Sequence, residues 1–344
     1  MTKFSSRRFR TIIQILKGTG VAGLARLAVN ETRRRIAKNP RCLLVETATK
    51  CNLNCPWCDV VLDVSSRKRA FMPLSDFRKI IRNCSGQVTA ITFIRTGEPT
   101  VNPELLDMIE LARRKGFIVT LNSNLATIEP EMIERLVAIQ PHRIVMTFIS
   151  ADPKEYEAKQ VGASFEQTVN TLLAIHEAKR QAGKTLPLVE VQLIATKSSV
   201  KQLEKFEELV RRVRCDAAYV KPMRVDLRRT DSRYERVHLD DVPIGHEVCN
   251  YDLDSEGRLV LKYQEGCPQE ENVFVTVDGE VYPCLFSPDD AKSYGNLISD
   301  DWKAVWKGSG LAADKRGVLR RRGHPMCSAC IPSREISLTV KTSD

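Results

Sequence analysis

The chain lacks any uncharged apolar run approaching the ~18 residues that a membrane-spanning helix needs, which excludes a transmembrane segment. It also lacks a clean signal peptide, so the reading places it in a reducing, cytoplasmic compartment where a disulfide framework is not expected. Internal repeats and low-complexity tracts are absent too. What remains is an ordinary globular composition, 42% apolar and 28% charged. With 344 residues it can bury a large core and form two domains. Acidic residues are the scarcer charge, 43 Asp and Glu against 53 Lys and Arg, for a net charge of +10. Such an excess suits an anionic partner, but basic enzymes without one are common.

Acids are scarcest at the start, with none between Ser5 and Glu31. Phe9, Ile12, Ile13, Leu16, Val21, Leu24, Leu27 and Ala28 recur there at roughly helical spacing. Residues 1–40 therefore read as a basic amphipathic arm. A transit peptide or a membrane-surface helix has this composition, as does a helix docked on the main body; docking is favoured.

From residue 42 onward short β-type runs alternate with helical patterns. Strands are predicted at 42–48, 89–94, 117–121, 143–149, 188–195 and 217–221. Helices are predicted at 75–84, 103–115, 130–139, 165–181 and 200–213, with Ser75 and Ser199 as N-caps and Pro103 and Pro130 in first turns. This βα alternation implies a parallel sheet with its chemistry at the C-terminal ends of the strands. The expected class is α/β, a partial (β/α)6 TIM-like barrel over residues 41–235. Residues 222–258 read as an irregular linker or lid. Beyond it, Asn272–Val277 and Glu280–Tyr282 flank Asp278-Gly279, a two-residue hairpin signal. A short helix near 301–307 and a basic stretch at 315–322 complete a small β-hairpin/helix unit within 236–344.

Eleven cysteines are present, an odd and clustered set that points to metal chemistry. Cys51, Cys55 and Cys58 lie on one loop just past the first strand. Three thiolates can hold three corners of a cubane cluster and leave one iron open for a chelating amine and carboxylate. A zinc site completed by a distant fourth ligand is the competing reading. Gly97-Glu98-Pro99 follows the second strand, Asn122-Ser123-Asn124 ends the third, and Ser150 ends the fourth. Cys267, Cys284, Cys327 and Cys330 form a second set, the last two as Cys-x-x-Cys. Four thiolates suit a cluster or a zinc ribbon equally well.

The Cys-x3-Cys-x2-Cys loop, with Trp57 before its third cysteine, resembles the signature of the radical S-adenosylmethionine (SAM) superfamily. That resemblance implies a [4Fe–4S] cluster on Cys51, Cys55 and Cys58, with SAM bound at its open iron. Trp57, Gly97, Glu98, Pro99, Asn122, Ser123, Ser150 and Gln192 are the implied cofactor-binding positions, with Thr196 a weaker one. Arg95 departs from the pattern, because a small residue is commoner shortly before this turn. The second cysteine set, with Tyr294-Gly-Asn-Leu297 before Trp302 and Trp306, resembles the SPASM extension in its shortened "twitch" form. It implies one auxiliary [4Fe–4S] cluster with four protein ligands, since no cysteine follows in 331–344.

The family implies an oxidoreductase or epimerase that makes a 5′-deoxyadenosyl radical, with SAM either consumed or recycled. Expected partners are a small-molecule substrate from natural-product biosynthesis (sugar, aminocyclitol or nucleoside-like) and an electron donor such as flavodoxin or ferredoxin. Modification of a ribosomally made peptide is the alternative, and attachment to RNA or an anionic membrane surface through the basic arm is a third reading. Cys249, outside both sets, is a candidate hydrogen donor in an epimerisation, against the plainer reading of a buried thiol. Cys42, Cys84, Cys215 and His176 read as structural, and Lys221 and Arg224 as solvated charge with a weaker option on an anionic substrate.

Overall fold

In the computed structural model the described residues are 25, 27–58, 70–225, 240–262, 269, 271–287, 291–319 and 336–338. Six parallel strands form the body: β1 (Cys42–Val45), β2 (Ala90–Phe93), β3 (Ile118–Ser123), β4 (Arg143–Phe148), β5 (Leu188–Ala195) and β6 (Ala217–Pro222). They lie side by side in sequence order, as right-handed βα crossovers dictate. The first helix, α1, spans 27–37. It is followed by α2 (Leu74–Cys84), α3 (Leu105–Arg114), α4 (Pro130–Ile139), α5 (Pro153–Lys159), α6 (Phe165–Gln181) and α7 (Leu203–Val213).

The two faces of the sheet differ in kind. Leu43, Val45, Ile91, Phe93, Val119, Leu121, Ile144, Met146, Phe148, Val191 and Leu193 point toward the helices and belong to the main core. The alternate residues form a polar face, because successive strand side chains point to opposite sides. On it Cys42 meets Thr92 at 3.4 Å, Arg143 pairs with Glu190 at 2.5 Å, and Gln192 donates to Thr147. Cys42, expected in the core, is instead on this inner face.

Both edges are covered by later chain. The hairpin strands β9 (Asn272–Val275) and β10 (Val281–Tyr282) extend one edge, with β9 parallel to β1 and β10 antiparallel to β9. At the other edge β11 (Ile336–Leu338) pairs antiparallel with β6. Nine strands thus form one sheet, which crosses the domain boundary expected after residue 235 and leaves neither flank of the β1–β6 body as a free edge. The predicted hairpin forms, but its loop is Val277–Gly279 rather than the two residues Asp278-Gly279: Thr276 N donates to Glu280 O at 2.9 Å and Gly279 N to Thr276 O at 3.0 Å, with Gly279 at φ 88°. An added Cβ there would lie 2.5 Å from Asn296 Oδ1, so the turn is packed as well as bent.

Several details correct the sequence reading. Ser75 does not cap α2: the helix starts a residue earlier, and Glu104 accepts from the Leu74 amide at 2.9 Å. Ser199 sits in a 3-10 turn (Ser199–Lys201) before α7, where its hydroxyl donates to the Ile194 carbonyl. Pro103 precedes α3 rather than starting it. The short helix α5 was missed, and the region expected to be irregular carries β7 (Tyr251–Leu253), which pairs with β8 (Leu259–Leu261). Near 301–307 the backbone forms a π-helical turn, Ala304–Gly308, followed by α8 (Leu311–Leu319). The basic arm's described end is docked on the body: Arg34 is buried and pairs with Glu271 at 3.5 Å, Thr89 donates to Glu31 at 3.4 Å, and Asn39 donates to Gln87 at 2.9 Å. Residues 1–24 of the arm lie outside the described residues. No helix among the described residues is long and apolar enough to cross a membrane.

Candidate SAM and iron–sulfur site

Cys51, Cys55 and Cys58 sit half-buried on the loop after β1, and none is in a disulfide. The loop is fixed by backbone contacts along its length. Glu98 N donates to Lys50 O at 2.8 Å, Asn54 N to Val161 O at 2.8 Å, and Cys58 N to Cys55 O at 3.0 Å. Trp57 donates its indole N–H to Lys159 O at 2.9 Å, which braces the loop against the end of α5. Asn124 bridges to Asn52 at 2.9 Å and reaches Cys51 Sγ at 3.9 Å.

Gly97 explains why the turn after β2 can lie so close. A Cβ on it would fall 2.4 Å from both Ala48 O and Lys50 O, well inside contact distance. Only glycine allows this turn to pack under the cysteine loop. Three thiols on one loop supply the donor set of a cluster with one open iron, although among the described residues no three such side chains are drawn together into a metal-holding group. Burial pushes the Cys51 thiol up to about 11; for Cys55, burial and then the neighbouring thiols raise it to about 12. Binding iron must therefore displace protons.

Glu98 behaves differently from its expected role. Its carboxylate is 4% exposed and accepts from Thr100 N at 3.0 Å, Thr100 Oγ1 at 2.7 Å, Ser123 Oγ at 2.7 Å and Asn124 N at 2.8 Å. Four donors on two oxygens make it a brace between the β2 turn and the end of β3, while its backbone N–H donates to Lys50 O at 2.8 Å and its carbonyl accepts from Val101 N at 3.3 Å. Burial raises its pKa, while the Asn124 and Thr100 amides oppose the rise. Pro99 opens the 3-10 turn Pro99–Val101 that Glu98 caps.

Ser123 is committed to this brace, and its oxygen also accepts from Leu125 N at 3.0 Å. Ser150 is fully buried and donates to Gln202 at 2.7 Å and Glu155 at 3.0 Å. It is a member of a polar cluster joining β4, α5 and the β5–α7 turn rather than a group facing the cysteines. Gln192 lies on the polar face but mid-strand, bonded to Thr147. Asn122 is half-buried on that same face, one residue before the strand end. Cys249 is 4% exposed, donates to Tyr251 O at 3.5 Å and packs with Met223, Val225, Val242 and Tyr251. This is a closed apolar pocket, so the plainer reading of a buried thiol replaces that of a hydrogen donor.

Arg95 holds φ 140°, a conformation that side chains rarely adopt. Its guanidinium lies 5.3 Å above the Phe274 ring and reaches Ser287 O at 3.5 Å. From beyond β6, Arg224 stacks 3.8 Å over Phe286, so it is not simply solvated. Two cations from distant strand ends thus grip the segment around Cys284. Of the second cysteine set only Cys284 is described: it is half-buried, and its sulfur accepts from Phe286 N at 3.4 Å. Cys267, Cys327 and Cys330 lie outside the described residues. Sequence reasoning missed the supports Asn52, Thr127 and Lys159, because a side-chain brace carries no spacing signature.

The family model described as Radical SAM superfamily matches residues 45–189. The model described as SPASM, an iron–sulfur cluster-binding domain, matches residues 267–331. Among curated proteins, the chain is 23% identical over 332 residues to a tungsten-containing aldehyde ferredoxin oxidoreductase cofactor-modifying protein of Pyrococcus furiosus, covering 88% of this chain and 90% of that one. It is 26% identical over 298 residues to mycofactocin maturase MftC of Mycobacterium tuberculosis, covering 80% and 73%. Among solved structures, Streptococcus suis SuiB bound to precursor peptide SuiA shares the fold at a TM-score of 0.60 and 16% identity, covering 87% of this chain and 74% of that one. The matched domains imply SAM and two iron–sulfur clusters as cofactors. The chain carries a radical SAM domain followed by a SPASM iron–sulfur domain.

Proposed function

We propose that the chain modifies a peptide, with Cys51, Cys55 and Cys58 holding the SAM cluster and Cys267, Cys284, Cys327 and Cys330 the auxiliary one. When bound, the first cluster and SAM supply a 5′-deoxyadenosyl radical that takes a hydrogen atom from the substrate. The chain's own residues hold the cysteine loop rigid, expose backbone to the SAM amine beside Gly97, and present a polar hollow to the substrate.

The observation that carries the peptide reading is the polar inner face of the sheet. Thr92, Asn122, Thr147, Gln192 and the Arg143–Glu190 pair line the inner sheet face, a surface suited to the amides of a peptide. The relatives support the same substrate class: MftC is named a maturase, another relative is a PqqA peptide cyclase, and SuiB was solved with its precursor peptide. The peptide alternative therefore replaces the sugar or aminocyclitol reading.

The test incubates reconstituted protein anaerobically with SAM, reductant and the short peptides encoded beside its gene, with an aminocyclitol panel in parallel. A mass change in one peptide together with 5′-deoxyadenosine is expected. Turnover of an aminocyclitol with every peptide unchanged would overturn the reading.

A further inference from the structure

Phe286 and Arg224 come from opposite ends of the sheet, yet Arg224 Cζ lies 3.8 Å from the Phe286 ring centroid. Phe286 is four residues past the end of β10 and Arg224 two past the end of β6, and seven strand-to-strand steps separate those two strands. In a flat sheet that separation is roughly 33 Å, at ~4.7 Å per step. A tight turn beyond one strand and a single side chain beyond the other do not cover it. The sheet therefore curls about its inner face, and the Arg224–Phe286 pair spans the flank where β6 and β10 share no hydrogen bonds.

The ring belongs to the inner side of this curl. Leu44 and Phe274 alternate with strand residues that point to the helices, and with Leu285 they form a small inner cluster. Phe286, Ile94 and Tyr282 pack against it. The segment is held as a turn: Ser287 N and Oγ donate to the Cys284 carbonyl at 3.1 and 2.9 Å, and Arg95 reaches Ser287 O at 3.5 Å. Arg95 stands two residues before Gly97, so this turn adjoins the one packed under the cysteine loop. Phe286 is only half-buried, which leaves apolar ring surface on the same side as Thr92, Asn122, Thr147 and Gln192.

We propose that Phe286 is a specificity-determining residue, the wall of the substrate site on its open flank, and that Arg224 is its positioning residue. The proposal deepens the peptide reading and rests on it for the substrate class. A peptide whose amides meet the polar strand residues would set an apolar side chain against the ring, where burial of apolar surface is favourable and a charged side chain would be desolvated at a cost. Arg224, stacked on the opposite side of the gap, keeps the ring in place through cation–π attraction.

The test labels a thiol placed on the inner face and needs no substrate. Thr147→Cys, close in size to the native residue, is made in the full-length chain with its clusters reconstituted, and modification at position 147 by N-ethylmaleimide is timed by mass spectrometry. Adding Phe286→Ala or Arg224→Ala is expected to speed that modification at least fivefold. Arg224→Lys, which keeps a cation for the ring, is expected to stay within twofold of the parent. Cys84 and Cys215, 0% and 3% exposed in the main core, report general loosening. An unchanged rate at position 147 in both variants would overturn the proposal, and so would a rise matched at Cys84 and Cys215. If Phe286→Ala does not fold, Arg224→Ala, which leaves the ring in the chain, decides alone. With the peptide that the wild-type chain modifies, Phe286→Ala should raise KM at least fivefold and change kcat less than twofold, because the contact is the same before and during reaction. An unchanged KM would overturn the specificity role. Labelling that behaves as expected while no peptide is modified would instead locate the failure in the peptide reading.

Discussion

The two cysteine sites are built in opposite ways. At the SAM site three thiols come from eight consecutive residues, and the neighbouring turn is admitted by one glycine and clamped by one buried carboxylate. At the C-terminal site the four cysteines are spread from Cys267 to Cys330, and the described one, Cys284, lies in a segment gripped from distant strand ends, with Arg95 reaching Ser287 O and Arg224 stacking on Phe286. A local loop can be specified by spacing. A composite site depends on whatever holds its pieces in register, and those supports are where it is vulnerable.

The comparison can be broken most severely at Gly97. Gly97→Ala pushes a methyl into two carbonyls, and the overlap is expected to cost roughly 2–3 kcal/mol. SAM cleavage should fall to background while auxiliary iron stays, read by iron counting and 5′-deoxyadenosine assay. Loss of both iron pools together would mean that the sites are not independent. Cys284→Ala should do the reverse, removing about half of the ~8 irons that two such clusters hold while leaving SAM cleavage measurable.

A smaller effect is expected at the clamp. Ser123→Ala removes one donor from the buried Glu98 carboxylate and should cost ~1–3 kcal/mol in chemical denaturation. The pH dependence gives the sign. Burial raises the folded pKa of Glu98 above its ordinary value, so this group's contribution to stability is full below that value and declines as pH rises through the raised one. Glu98→Gln should remove that decline, seen as a flatter melting temperature against pH. The smallest effect is expected at Arg224, whose stacking on Phe286 is worth ~0.5–1 kcal/mol. Arg224→Ala should shift the melting temperature slightly and leave iron content unchanged.

Much of the fold was legible because hydrophobic alternation and helical periodicity repeat six times. Pro130–Ile139, Phe165–Gln181 and Leu188–Ala195 match the predicted bounds, since each pairs a clear periodic run with a clean boundary residue. The caps at Ser75 and Ser199 failed because the cap is supplied from elsewhere or the turn is 3-10, neither of which local propensity encodes. The same limit appears at the site. The cysteine spacing and Gly97 announce themselves in sequence. The commitments of Glu98, Ser123 and Ser150 to internal donors depend on which strand ends become neighbours, so polar residues at those ends read as cofactor ligands before the partners are known. Lys315 opens the basic stretch at 315–322, and only tertiary structure shows it buried.

The central claim, that the Cys51–Cys58 loop supports radical cleavage of SAM, is tested most directly by anaerobic reconstitution followed by SAM, a strong reductant and the modified peptide. The account predicts 5′-deoxyadenosine from the wild-type chain and none from Cys55→Ala. No product from either, with stoichiometric zinc in place of iron, would contradict it.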